Sequence, residues 1–283
     1  MLVKKRTEPN QEITMWKTTL GRCIYKSDSG FQVHQNAWYR WLTTGNNVLQ
    51  SLINRRNPEQ FGLEYIAPLT HMVRSSPGDC CVLGLGGAGI PHALFPALTN
   101  WRMVAVELNQ DVIDIAARYF KVDRITNLTT VHQNAQDFVR STSENYQHMI
   151  IDVYNSNHYP VECSNDAFFS HCQALLNPGG ILSINLINIH QEWQLFQRIR
   201  NLFNNNTLVV PIKNTSNTLV FAFNIEKSAL SADFRLREQV ANRRLVGTAL
   251  KAEKSNSFLD KIQHIHGVKN IVWDPSWGCI GRV

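Results

Sequence analysis

Three glycines, Gly84, Gly86 and Gly89, close an apolar run that begins at Cys80, and a helix-compatible segment follows them. Glycine lets a backbone turn sharply at the end of a buried strand and approach a ligand closely. The free N–H groups of a helix start then face that ligand. The spacing G-x-G-x-x-G is that of a nucleotide cradle. Glu107 ends the next apolar run, where a carboxylate accepts hydrogen bonds from a ribose diol. Together these residues indicate an adenosine-type ligand. Plain turns also use glycines, so the pattern gains weight only from the strand and helix around it.

Those residues need a parallel sheet to position them, and the chain supplies its pattern. From residue 80, short apolar runs alternate with segments of helical spacing: strands at 80–84, 103–107, 128–132, 149–152 and 180–186, helices at 90–98, 110–120, 135–140, 167–176 and 191–203. The runs at 207–212 and 218–223 are only five residues apart. That gap holds no crossover helix, so this last pair is antiparallel. The reading is an α/β fold: a doubly wound, mostly parallel seven-stranded sheet with an antiparallel strand. Asp152 ends the fourth strand and faces the crevice where open α/β sheets bind ligands. It either handles the proton of an attacking group or lines the crevice as a polar residue. Asn134 and Ala135 follow the third strand, where a side-chain amide reaches an adenine edge.

Before the sheet, residues 13–61 read as short strands around turns at Ser27-Asp28-Ser29-Gly30 and Gly45-Asn46-Asn47. This gives a small β-rich N-terminal domain over 1–61 and a Rossmann-like domain with a C-terminal tail over 62–283. Residues 63–74 carry apolar side chains at helical spacing and read as one helix. Trp16, Trp38 and Trp41 read as core or subunit interface. His71 reads as a core histidine. The last sixty or so residues show no usable period and read as a packing tail.

Bulk properties narrow the class. The 283 residues are 43% hydrophobic and 18% charged, which describes an ordinary globular protein. No run reaches the ~18 apolar residues of a membrane-spanning helix. No apolar segment backs the basic N-terminus, so no signal peptide is expected. The six Cys form no C-x-x-C pair, so neither a metal site nor a disulfide frame is expected, and a reducing cytoplasm is the default. The net charge of +6 comes from short, scattered basic pairs, so nucleic acid is not an expected partner.

With these motifs in order, the chain over roughly 20–225 resembles the spermidine synthase (aminopropyltransferase) family, within the S-adenosylmethionine-dependent methyltransferase fold. Leu83-Gly84-Leu85-Gly86-Gly87-Ala88-Gly89 resembles its glycine motif. Val104-Ala105-Val106-Glu107-Leu108 resembles its ribose segment, and 146–152, ending in Asp152, its strand-four signature. Gln50-Ser51, Pro58, Tyr65 and His71 resemble the segment joining its N-terminal β domain to the core. The resemblance implies S-adenosylmethionine or its decarboxylated form as co-substrate, without metal. It implies a cofactor half from Gly84, Gly86, Gly89, Glu107, Asn134, Ala135 and Gln50. Asp152 would be the catalytic residue, beside an acceptor pocket of Tyr65, Tyr154 and Asn155. The partner would be a small-molecule acceptor, an amine among the candidates, and a homodimer is compatible with it.

The chain also departs from the family. Gly87, Ala67, Asn134 and Asn155 stand where it carries acids. A polycation needs carboxylates to replace its lost hydration, so these changes argue against polyamine synthesis. An alkyl transferase with an unidentified acceptor is the leading expectation. A catalytically idle member serving as a binding or scaffold protein is the alternative, and an NAD-binding oxidoreductase ranks last.

Overall fold

The computed structural model describes residues 16–45, 48–154, 159–187, 189–213, 215–225, 269–274 and 278–282. Four short strands come first: β1 (Arg22–Lys26), β2 (Gln32–Gln35), β3 (Tyr39–Thr43) and β4 (Leu49–Asn54). They pair in chain order as an antiparallel meander. The first turn closes through Ser27, whose carbonyl accepts from Gly30 N and whose Oγ accepts from Phe31 N. Val33, Leu42 and Ile53 alternate onto one face and pack against Val112, Ile115 and Phe120. The small sheet is therefore seated on the helix that follows the second strand of the large one. Of the three tryptophans expected in a core or interface, Trp41 is buried, while Trp16 and Trp38 are exposed.

The single helix expected over 63–74 is two: α1 (Ile66–Leu69) and α2 (His71–Ser75). Pro68 has no N–H to continue the ladder. Thr70 Oγ1 donates to the Ile66 carbonyl at 2.7 Å, a back-bond that favours a break. Ile66, Leu69, Met72 and Val73 are still buried, so the apolar spacing was read correctly and the continuity was not.

The large sheet holds β5 (Cys80–Leu83), β6 (Met103–Glu107), β7 (Leu128–His132), β8 (Tyr146–Ile151), β9 (Leu176–Ile187), β10 (Thr207–Pro211) and β11 (Asn217–Phe223). The helices between them are α3 (Gly89–Leu94), α4 (Gln110–Tyr119), α5 (Ala135–Ser141), α6 (Asp166–Ala174) and α7 (Trp193–Leu202). The strand order is β10-β11-β9-β8-β5-β6-β7, with β11 antiparallel to both neighbours. Apolar clusters cover both faces, which is why β5 reads as an unbroken apolar run. The order reverses beside β5, placing a crevice at the carboxyl ends of β5, β6 and β8.

Two findings extend the expected sheet. β9 begins at Leu176, before the Asn177–Gly180 turn, with a register shift against β8 that absorbs it. The tail supplies β12 (Lys269–Asp274) and β13 (Gly278–Arg282), and β13 runs parallel to β10. The sheet among the described residues thus has nine strands. No helix among them is long and apolar enough to cross a membrane.

His148 on β8 is 1% exposed, and its Nε2–H donates to the Ser76 carbonyl at 2.6 Å. Its Nδ1 meets no partner among the described residues. Burial pushes its pKa down to about 4. The unfolded chain therefore takes up a proton near pH 6.5 that the folded chain refuses until about pH 4, and stability falls as pH drops between the two. Urea unfolding should show a loss of about 2–3 kcal/mol attributable to this group across that window. His148→Gln should flatten that part of the acid slope; an unchanged slope would refute the assignment.

Candidate active-site crevice

The glycine loop turns under tight steric control. Gly84 has φ +98°, and a Cβ there would lie 2.4 Å from the Asp152 carbonyl oxygen. Only glycine fits between the ends of β5 and β8. Gly86 also has positive φ, at +51°, and its hydrogen-only face meets Ser51. Gly89 opens α3, where a Cβ would lie 3.1 Å from Ile66 Cδ1, so it lets α1 pack closely.

The loop amides do not all stand free, as the motif alone implied. Glu107 Oε2 accepts from Leu85 N at 3.1 Å and Gly86 N at 3.4 Å, while Oε1 accepts from Asn109 N at 3.0 Å. Gly87 N donates to Ser51 Oγ at 2.7 Å. The carboxylate is thus fixed at the end of β6 by backbone donors. With about four acceptor positions on a carboxylate, it keeps capacity for one further donor.

Position 87, where the resemblance places an acid, has no room for one. A Cβ on Gly87 would lie 2.8 Å from both Phe120 Cε1 and Ser51 Cβ. Phe120 is fully buried and Ser51 nearly so. Ser51, on β4, was noted in the sequence only within a matching segment; its bond to the loop is new. Gln50 beside it is the extra residue of a β-bulge, since Leu42 pairs with Ser51 and Thr43 with Leu49. Asn134 caps α5, its Oδ1 accepting from Gln136 N at 2.8 Å, and Ala135 starts that helix.

Opposite the loop, Asp152 follows β8 and anchors a chain of side chains. Its Oδ2 accepts from Tyr65 Oη and its Oδ1 from Asn185 Nδ2, each at 2.8 Å. Asn185 Oδ1 in turn accepts from Asn217 Nδ2 at 2.8 Å. Burial raises the Asp152 pKa, and the Asn185 and Tyr65 donors partly offset that rise. Burial, and then Asp152 itself, pushes the Tyr65 phenol well up. Tyr65 and Asp152, proposed from the sequence as one site, are in direct contact; Asn155 lies outside the described residues.

Tyr154 makes a second connection. Its Oη accepts from Ile187 N at 2.5 Å and donates to Glu192 Oε2 at 3.1 Å. Burial moves the Glu192 carboxyl up to about 7, against the lowering pull of Tyr154 and the Tyr159 N–H. Asn185, Asn217 and Glu192 were missed in the sequence. Ser183 and Asn185 did carry a signal: polar residues at period two inside a buried strand. Glu192 carried none, because an acid just before a helix is ordinary.

The packing at position 87 makes a direct forecast. Gly87→Asp should cost about 2–4 kcal/mol in urea unfolding, through overpacking and a buried charge. Wild-type stability in that variant would mean that Phe120 and Ser51 yield freely.

No family model matches the chain. It is 26% identical over 148 residues to a probable polyamine aminopropyl transferase of Bifidobacterium longum, covering 50% of this chain and 32% of that one. The chain thus spans about a third of that relative's length. It is 23% identical over 227 residues to a polyamine aminopropyltransferase of Neisseria meningitidis, covering 75% of this chain and 86% of that one. Among solved structures, a probable spermidine synthase from Corynebacterium glutamicum superposes with a TM-score of 0.63 at 16% identity, over 81% of this chain and 88% of that one. A spermidine synthase in complex with the transition state analogue AdoDATO gives a TM-score of 0.58 at 17% identity, over 72% and 74%. The chain is thus similar in sequence to polyamine aminopropyltransferases and shares its fold with spermidine synthases.

Proposed function

We propose that the crevice binds an adenosyl-sulfur co-substrate and transfers an alkyl group from its sulfonium to a nucleophile. The observation that carries this reading is the placement of two carboxylates at the carboxyl ends of the two parallel strands that flank β5. Glu107 is held at β6 by loop amides, and Asp152 at β8 by neutral donors. The solved relative with AdoDATO supports the ligand class.

Glu107 accepts from one hydroxyl of the ribose diol through its remaining acceptor position. Asp152 lies on the acceptor side. A nitrogen nucleophile loses a proton to Asp152, whose raised pKa suits it to that task. The nitrogen lone pair then forms the new bond to carbon. The carbon–sulfur bond breaks, and sulfur leaves as a neutral thioether with the electron pair. Tyr65 and Asn185 hold Asp152 in place during this step. The crevice works mainly by positioning, because the sulfonium already provides the leaving group. The transferred group, aminopropyl or methyl, follows from which co-substrate binds.

A second reading is a family member that binds the ligand without turnover. One observation favours it: the space for an acid at position 87 is filled by Ser51 and Phe120. That filling leaves the amine half of the site with fewer acids.

Titration calorimetry separates these readings. S-adenosylmethionine, its decarboxylated form, methylthioadenosine and NAD are each titrated into the full chain. The adenosyl-sulfur ligands should bind and NAD should not; the reverse would sink the transferase reading. Glu107→Gln should weaken methylthioadenosine binding about tenfold, the worth of one hydrogen bond to a charged group. In an assay that follows release of the thioether product from the bound co-substrate, Asp152→Asn should lower turnover at least ~100-fold while nucleoside affinity holds. Equal turnover would remove Asp152 from the mechanism.

A further inference from the structure

We propose that the junction between the small sheet and the carboxyl end of α4 holds a second ligand site, an arginine-lined pocket for the phosphate groups of a small, freely soluble polyanion. The site goes beyond the transferase reading and shares no residue with the crevice.

The pocket has a volume of about 320 Å³. That lies at the lower end of the range for small-ligand sites, about 300–1,000 Å³. Arg22, Gln35 and the turn at Asn36 and Ala37 line it, with Arg55 from the segment after β4. The register of the meander explains how these groups meet. Arg22 pairs with Gln35, and Gln35 with Arg40, so the three side chains form one row on the same face of β1, β2 and β3. Arg40 ends the row beside α4. Its Nη2–H and Nε–H donate to Gln35 Oε1 at 2.7 and 3.2 Å, and its Nη1–H donates to the Tyr119 carbonyl. With Oε1 turned to Arg40, the Gln35 amide presents its N–H donors away from that arginine. Arg55 Nη1–H donates to the Asn36 carbonyl at 2.7 Å, and Lys121 Nζ donates to the Arg55 carbonyl. The groups that hold Arg40, Arg55 and Lys121 in these bonds are neutral.

The positive charges act on one another. Burial lowers the Arg40 pKa, and the neighbouring Arg55 lowers it further. Burial also lowers that of Lys121, followed by Arg124, Arg40 and Arg55, while Asp123 pulls it back up. Folding has thus brought cations from β3, from the segment after β4 and from the turn after α4 within Coulombic reach of each other. Holding like charges together is unfavourable, and a polyanion entering among them relieves it. A guanidinium meets phosphate oxygens with paired N–H donors, which favours a phosphate over a monovalent anion. The volume takes one small molecule rather than a length of polymer.

The test is calorimetric, on the full chain at low ionic strength, where screening is weakest. Inorganic pyrophosphate is titrated, with acetate as the monovalent comparison. Pyrophosphate should bind, and acetate should bind at least ~10-fold more weakly. Arg22 is exposed, so Arg22→Gln leaves the packing intact, and it should weaken pyrophosphate about tenfold. Arg140→Gln, on the exposed surface of α5 outside the pocket, should leave that affinity unchanged. A wild-type chain that binds no pyrophosphate, or binds acetate equally well, overturns the inference whatever the variants do. Retained affinity in Arg22→Gln overturns it too. Equal losses in the two variants would trace binding to the net charge of +6 alone and also overturn it.

Phosphatidylcholine vesicles carrying a phosphatidylinositol phosphate separate a free anion from a lipid headgroup. The protein should not sediment with them; sedimentation that pyrophosphate fails to reverse would assign the pocket to a membrane surface. A thymidine oligonucleotide that binds and is not displaced by pyrophosphate would assign it to nucleic acid. Either result overturns the proposal.

Discussion

The structure depends on how Asp152 is held. Its backbone N–H donates to Leu83 at 2.9 Å, and its carbonyl crowds Gly84, so strands β5 and β8 are locked at their carboxyl ends. Its carboxylate accepts from Tyr65, on the segment before β5, and from Asn185 on β9. Asn217 on β11 supports Asn185. One partly buried carboxylate thus joins four segments. A buried charge is tolerated only where donors replace its hydration, and two neutral side chains, one of them backed by Asn217, do that here. Among the described residues, these donors are neutral and Asp152 is in no ion pair. Such an arrangement suits a group that must exchange a proton or face a cation.

The other half of the crevice answers to packing rather than charge. The glycine loop is gripped from two sides, by Glu107 at β6 and by Ser51 from the small sheet. Phe120 closes the space behind Gly87. The small sheet rests on α4 through Val33, Leu42 and Ile53 against Val112, Ile115 and Phe120. Loop, helix and N-terminal sheet therefore form one packed unit, and the missing acid at position 87 is a matter of volume as well as charge. Restoring it requires a smaller neighbour.

The sheet was legible because its signals are local. Continuous apolar strands, glycines at a strand end and a five-residue gap too short for a crossover each follow from covalent geometry and burial. What escaped the sequence is non-local. Ser51 and Gly87 are 36 positions apart, and Asn185 and Asp152 are 33 apart. The break at Thr70 turned on one proline and one hydroxyl back-bond. The tail strands lack period-two patterning, and β13 finds its place by pairing with β10 and β12. Glu192 became visible only once folding set it against Tyr154, because no spacing rule marks an acid at the start of a helix. The glycine motif was legible in position but not in detail. Its first amides serve Glu107 and Ser51, a division of labour set by tertiary contacts.

The central claim is that Glu107 and Asp152 mark the two ends of one adenosyl-sulfur site. A crystal structure of the full chain with methylthioadenosine tests it most directly. The account predicts the ribose diol on Glu107 and the thioether sulfur on the side of Asp152. A nucleoside bound with its ribose away from Glu107, or its sulfur turned from Asp152, would contradict it.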